Sequence, residues 1–353
     1  MSAKQIYKGM GMVGAGFQFL NTAPTPLYRR PVQAKFFSTF FDAKSEYLEG
    51  DIYQLTEVIE ATLQRAQGKA YNDVVGGLKK SSAELKNFNV GSFGLAYGYS
   101  AKDIKGKVNP VTKQKMTEEE LFAELAVTAD KSWDNTEEAA IAQLLTADTS
   151  YTGGYAGNPS YNWYTIMTGI SRPAATSMDL NNGAANHISL FMDQIDRLKE
   201  EADIRGQSVT AVTALCDPIF FNDRLEIEIQ QGLARDLRSE LDLASQAYPE
   251  LPGQTFRISY FDSRDGIRYI RANESIDGSR VIPASSAILV PTLAGESLFT
   301  KVYAPAVRFS SVNQVAQEKY VWEHKDDTEM VRAEESNVLY VSKFPTLIRK
   351  LTV

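Results

Sequence analysis

Residues 45–104 constrain the fold most, because they are rich in strand-forming types. Residues 51–60 include Ile52, Tyr53, Leu55, Val58 and Ile59, which suit a pleated, half-buried surface. Phe93, Leu95, Tyr97 and Tyr99 alternate with Gly94, Ala96, Gly98 and Ser100, a period of two that marks a strand with one buried face. Between these runs, Gln67-Gly68 and Gly76-Gly77 offer turns. The segment predicts a long two-stranded excursion. A ribbon of that kind is barely stable alone and needs a partner surface.

The stretch before the ribbon reads as an irregular arm. Gly9, Gly11, Gly14 and Gly16, then Pro24, Pro26 and Pro31, oppose any long helix or central strand. Phe36 and Phe40, like Phe37 and Phe41, are spaced so that one helical turn presents a broad apolar face. Gly9 to Gly14 also spell the glycine pattern of a dinucleotide-binding turn. That turn needs a buried strand before it, and Lys4, Gln5 and Lys8 make none, so the run reads as glycine-rich arm. Lys4, Lys8, Arg29, Arg30 and Lys35 meet no acid before Asp42, whereas the remainder holds 32 basic and 44 acidic residues, a balance of −12. A body this acidic does not grip DNA, because phosphate neutralisation needs clustered Lys and Arg.

After the ribbon the period changes. Thr117 followed by Glu118, Glu119 and Glu120 is a capping box, and Leu121, Phe122, Leu125, Ile141, Leu144 and Leu145 continue one face. One helix of about thirty residues is predicted, with Asp134-Asn135 as the place where it could kink. Residues 148–181 predict a loop followed by short strands. Ile188, Phe191, Ile195 and Leu198 mark an amphipathic helix ended by Gly206. A strand over 209–215 is halted by Asp217-Pro218, and a helical stretch follows through 219–245. Residues 256–260 and 267–271 flank a turn closed by Gly266, a hairpin pattern. Strands are predicted over 287–290, 320–324, 329–333, 337–341 and 347–353. Strands and helices in separate runs give an α+β class.

Catalytic chemistry is poorly supplied. Cys216 is alone, so no internal disulfide forms, and a reducing cytoplasm is expected. No apolar run reaches membrane-spanning length, and the N-terminal glycines interrupt any secretory apolar region. His187, His324 and Cys216 are the only soft metal ligands, and none are paired at metal-binding spacing. Acidic runs such as Glu118 to Glu120, Glu200-Glu201, Asp326-Asp327 and Glu334-Glu335 read as solvated faces. No nucleophile elbow or phosphate loop occurs, and two histidines restrict general-base chemistry. His187 reads as a polar helix residue, and Trp133, Trp163 and Trp322 read as core or interface anchors. The expectation is no enzyme and no cofactor. A carboxylate-dependent hydrolase is the catalytic alternative, since it needs only two acids.

Several stretches, in order, carry a resemblance. They are Phe40-Phe41-Asp42, then 87–91 with the tyrosine-containing strand after it, and Ala214-Leu215-Cys216-Asp217-Pro218. The hairpin of 256–271, the run 281–291 and the C-terminal 334–353 with Phe344-Pro345 complete the series. Together they resemble the major capsid proteins of lambda-like tailed bacteriophages, the capsid E family with its Hong Kong 97-type shell fold. Residues 148–183 depart from that pattern and read as an insertion.

The resemblance implies an N-terminal arm (1–43), an extended β-ribbon loop (44–104), a spine helix with the first part of a peripheral domain (105–183), a mixed α/β axial domain (184–311) and peripheral C-terminal strands (312–353). It implies a virion protein, assembled in the bacterial cytoplasm as hexamers and pentamers into an icosahedral shell around double-stranded DNA. A separate scaffolding protein and a portal are implied partners, with a decoration protein as an optional one. No membrane or sequence-specific DNA contact is implied. Maturation is implied as an expansion in which ribbon and long helix move. Phe36, Phe37, Phe40, Phe41, Tyr53, Leu55, Phe93, Leu95, Tyr97 and Tyr99 are the candidate subunit-contact residues. Some relatives of this fold carry lysine–asparagine crosslinks, but Lys69, Lys79 and Lys80 in the ribbon read as solvated. A tail-tube or sheath subunit is the structural alternative.

Overall fold

The structure is a computed structural model. It describes Phe37, Lys102, Gln114, Lys115 and residues 43–59, 82–100, 117–182, 186–230, 239–242, 257–263, 265–272, 275–276, 279–305, 316–325 and 329–353. Strands β1 (Ala43–Tyr47), β2 (Ile52–Ile59), β3 (Ser82–Asn89) and β4 (Gly91–Ser100) precede helix α1 (Glu118–Ala147) and the short α2 (Trp163–Thr168). Then come β5 (Thr176–Ser177), α3 (His187–Ile204), β6 (Val209–Cys216), α4 (Pro218–Gln230), β7 (Ser239–Asp242), β8 (Arg257–Asp262) and β9 (Ile267–Arg271). The small pair β10 (Ser275–Ile276) and β11 (Ser279–Arg280) leads into β12 (Ser286–Leu293), β13 (Phe299–Tyr303), β14 (Tyr320–Lys325), β15 (Glu329–Ser342) and β16 (Arg349–Thr352).

Two sheets organise these elements. In the first, β15 is the axis: β4 pairs along one side, while β14 and β13 share the other, and β1 adds to β13 in parallel. The second has seven strands in the order β5-β16-β12-β6-β9-β8-β7. Alternation along its central strands feeds two cores. Ala287 and Leu289 of β12, Ala214 and Cys216 of β6, and Tyr269 of β9 face Phe191, Phe220, Phe221 and Phe261. Their neighbours Ile288, Val290, Leu215 and Ile270 face the opposite way, into a core shared with β13, β15 and the C-terminal half of α1. That is the period-two rule with both faces covered.

The capping box forms as expected: the Glu120 amide donates to Thr117 Oγ1 at 3.2 Å, and the Thr117 amide to Glu120 Oε2 at 2.9 Å. The helix runs unbroken through Asp134-Asn135 to its left-handed cap at Asp148, φ 59°. Helix α3 ends before Gly206, whose φ of 68° needs glycine.

Four expectations are corrected. The strand of 93–99 is not the ribbon's return strand. The return strand is β3, and β4 joins β15, because Phe93, Leu95, Tyr97 and Tyr99 turn towards α1 and the loop after it. Helix α4 is described over Pro218–Gln230, and Ser239–Asp242, inside the stretch read as helical to 245, instead adds as a strand to the edge at β8, where pairing overrides helical propensity. The segment after α1 holds one six-residue helix and one two-residue strand, not several strands. The runs 329–333 and 337–341 merge into one strand, a 3₁₀ turn covers Pro345–Leu347, and β16 crosses to the second sheet. Strand β13 belongs to the first sheet and β16 to the second.

Candidate functional site

The ribbon root carries aromatic and aliphatic side chains on a two-stranded element. Strands β2 and β3 pair antiparallel from Ile52↔Asn89 to Ile59↔Ser82. Tyr53 and Phe88 lie opposite each other and face inward, 5% exposed each. Phe88 makes edge contacts with Tyr161 and Trp163, both at 5.1 Å between ring centroids. Ile52 and Leu85 lie on the other face and are 51% and 54% exposed. One face is thus held by the chain itself, and the other is open.

Strand β4 is fixed on both its long sides. Gly98 permits close approach to β15, since a Cβ there would sit 2.3 Å from the Met330 carbonyl oxygen. Asn158 covers the opposite edge at Ser92: its Oδ1 accepts from the Ser92 amide at 3.0 Å, and its Nδ2 donates to the Ser92 carbonyl at 2.9 Å. A side-chain amide stands there in place of a neighbouring strand. Below β4, the half-buried Tyr97 and Trp133 donate to opposite oxygens of the buried Glu334, at 2.8 Å each. A cavity of about 350 Å³ lies beside them, lined by Phe93, Leu95, Trp133, Tyr151, Thr152 and Tyr155 among others.

The sequence candidates separate into three groups. Phe36, Phe40 and Phe41 lie outside the described residues, as do the glycine pattern of 9–14, the turns at 67–68 and 76–77, and Lys69, Lys79 and Lys80. Phe37, Tyr53, Phe93 and Tyr99 are buried in the chain's own core, with Phe37 donating its amide to the buried Glu138 at 2.7 Å. Leu55, Leu95 and Tyr97 are half-buried. Ile52 and Leu85 are the ribbon's open apolar residues. Alternation carried that signal, because Ile52 has the opposite parity to Tyr53 and Leu55.

Several ionisable groups elsewhere are buried and paired. Asp217, fully buried, accepts from the amides of Ile219 and Ser285 at 3.1 Å each and from Arg280 at 2.9 Å, which explains the Asp-Pro step before α4. Arg224 and Asp265 form a wholly buried pair at 3.0 Å, with the Tyr269 hydroxyl donating to the same carboxylate at 2.9 Å. The hairpin pattern places Asp265 in the turn before Gly266 and gives no sign of its partner Arg224. His187 is buried at the start of α3 with Nε2 3.0 Å from the Asn182 carbonyl oxygen, and Trp163 is fully buried with its indole N–H on the Tyr340 carbonyl at 3.1 Å. Burial raises the Cys216 thiol well above its ordinary value. Among the described residues no cluster of three or more His, Cys, Asp or Glu could hold a metal, and no helix is long and apolar enough to cross a membrane.

Comparison with known proteins agrees with this arrangement. The family model described as phage major capsid protein E matches residues 78–353. The major capsid protein of Pseudomonas phage KPP10 is 25% identical over 208 residues, covering 55% of this chain and 56% of that protein, so the chain spans a little over half the length of this relative. The capsid structure of cyanophage P-SCSP1u matches with a TM-score of 0.50 over 94% of this chain and 91% of that one, at 11% identity, a likeness of fold. The fold is the mixed α+β Hong Kong 97-type fold. The match over 78–353 takes in most of the chain, from before β3 to its last strand, and by it the chain belongs to the phage major capsid protein E family.

Proposed function

We propose that the chain is the repeating subunit of an icosahedral shell, joined as hexamers and pentamers around double-stranded DNA. The observation that carries this reading is the half-covered ribbon. Tyr53 and Phe88 anchor one face to the body, while Ile52 and Leu85 remain open on the other. A two-stranded ribbon that leaves apolar side chains exposed on its open face gains stability from a partner surface, and in a closed symmetric assembly a sister copy supplies it. Family membership supports the same reading.

Contacts between copies are assigned to Ile52 and Leu85, to the half-buried Leu55, Leu95 and Tyr97, and to the phenylalanines of the arm, Phe36, Phe40 and Phe41. Residues 1–43 serve as arm, and 44–104 as an extended loop whose two ends, β1 and β4, pair into the first sheet. The first sheet with α1 is the peripheral unit, and the second sheet with α3 and α4 is the axial one. The subunit carries out no reaction. It is a virion component that assembles in the host cytoplasm with a scaffolding protein and a portal. The balance of −12 beyond residue 41 keeps the wall from binding packaged DNA tightly.

The test is to express the chain with its neighbouring reading frames, sediment the lysate and view the fast fraction by negative stain. Isometric closed shells are expected. Rods or stacked rings would replace this reading with a tail-tube or sheath subunit. A purified monomer with saturable turnover would replace it with a hydrolase.

A further inference from the structure

Residues 148–172, the larger part of the stretch 148–183 that reads as an insertion, touch the ribbon on one side and the core on the other. The segment closes on itself at its base: the Trp163 amide donates to the Asp148 carbonyl at 2.8 Å, and the Ser150 amide to the Tyr161 carbonyl at 2.9 Å. Its core side is tied by charge. Arg172 forms a bidentate pair with the buried Asp148 and donates to the carbonyls of Ile348 and Pro345, both at 2.6 Å, while Lys350 reaches the same carboxylate at 3.0 Å. Its ribbon side makes four contacts of different kinds. Tyr161 and Trp163 take the Phe88 ring, the Tyr161 hydroxyl accepts from the Asn89 amide at 2.9 Å, the Ile166 carbonyl accepts from Lys86 at 3.0 Å, and Asn158 clamps Ser92 where the ribbon enters β4. Tyr151 stacks on Phe93 just beyond, with planes 5° apart.

We infer that residues 148–172 are a bracket that fixes the direction in which the ribbon leaves the body, and through it the spacing at which the ribbon meets the next copy. The first half stands on geometry. The second rests on the shell reading above. A ribbon joined to the body only through chain connections at 51 and 90 would pivot about them. Aromatic packing at one point and hydrogen bonds at three others, on a base held by buried charge, remove that freedom before any neighbour arrives.

The test uses the full chain carrying Tyr161→Ala with Lys86→Met. Hydrogen exchange on the soluble subunit is expected to speed up roughly tenfold or more at Phe88 and Asn89 while α1 and β12 keep their protection. Particles formed by the variant are expected to spread in diameter or fail to close, and Tyr161→Phe alone, which keeps the ring, is expected to restore a single diameter. Unchanged exchange at Phe88 and Asn89 overturns the bracket. Faster exchange with particles of unaltered diameter overturns its role in spacing. Where the double variant also loosens α1, the pair Tyr161→Phe with Lys86→Met keeps the packing, removes both hydrogen bonds and is read by the same outcomes. An unmodified chain that builds no shell sinks the shell reading, and exchange still decides whether the bracket holds the ribbon.

Discussion

Asp148 shows how single residues hold this subunit together. It caps α1 in a left-handed conformation, is 2% exposed, and receives Arg172 and Lys350. Arg172→Met leaves that carboxylate with one cationic partner, removes the guanidinium donor from the Ile348 carbonyl and leaves the Pro345 carbonyl with the Ile348 amide alone, at 3.3 Å. We expect a loss of about 3 kcal/mol, measured by urea unfolding, because a buried charge deprived of its partner is expensive. Cys216 makes the opposite prediction. Its thiol is fully buried and pushed up by that burial, so an impermeant thiol reagent at pH 8 should label it only after denaturation. Labelling of the folded subunit would mean that β6 is more open than described. Neither the Asp148 hub nor the Arg224–Asp265 pair was legible in the sequence. Asp148 to Arg172 is a loop separation, Arg224 to Asp265 crosses elements, and no pattern rule joins acids and bases at such distances.

Tyrosines give the elements an alkaline signature. Burial, reinforced by Glu46, pushes Tyr53 up to about 12, and burial also raises Tyr269, Tyr303 and Tyr340. Each then stays protonated in the fold where the unfolded chain ionises. The stability they contribute is full below the ordinary tyrosine value of 10.0 and is lost as pH climbs from there through about 12. Lys350 runs the other way: burial lowers it, with Asp148 opposing, so its cost fades as pH rises. Tyrosinate absorbance should therefore lag at pH 11 and rise with the loss of the far-ultraviolet signal. A full rise in the folded state would contradict the packing. On β4, Gly98→Ala should cost about 1–3 kcal/mol, since its Cβ meets backbone at Met330 rather than a side chain that can turn away. A neutral effect would mean that β4 does not sit on β15 in this register.

Elements were legible where period and cap coincide. The Thr117–Glu120 box, the Gly266 turn and the α3 stripe all formed as read. They were misread where a distant strand decided. Ser239–Asp242 joins β8, and the alternation of 93–99 is real but serves β15, which lies far along the chain. Period two says that one face is buried, not by what.

At the scale of the whole molecule, two sheets share one core, and β16 ties the end of the chain into the second sheet after β15 has served the first. Local patterns could not assign a strand to either sheet, whereas the order of motifs along the chain did carry the family. The ribbon root is held on its Tyr53–Phe88 face and exposes Ile52 and Leu85 on the other. The central claim is that sister copies cover the open face. A cryo-electron-microscopy reconstruction of the assembled particle tests it most directly. Ile52 and Leu85 are expected to be buried against an adjacent copy throughout the particle; a closed shell that leaves both side chains in solvent, held by other contacts alone, would overturn the ribbon's role.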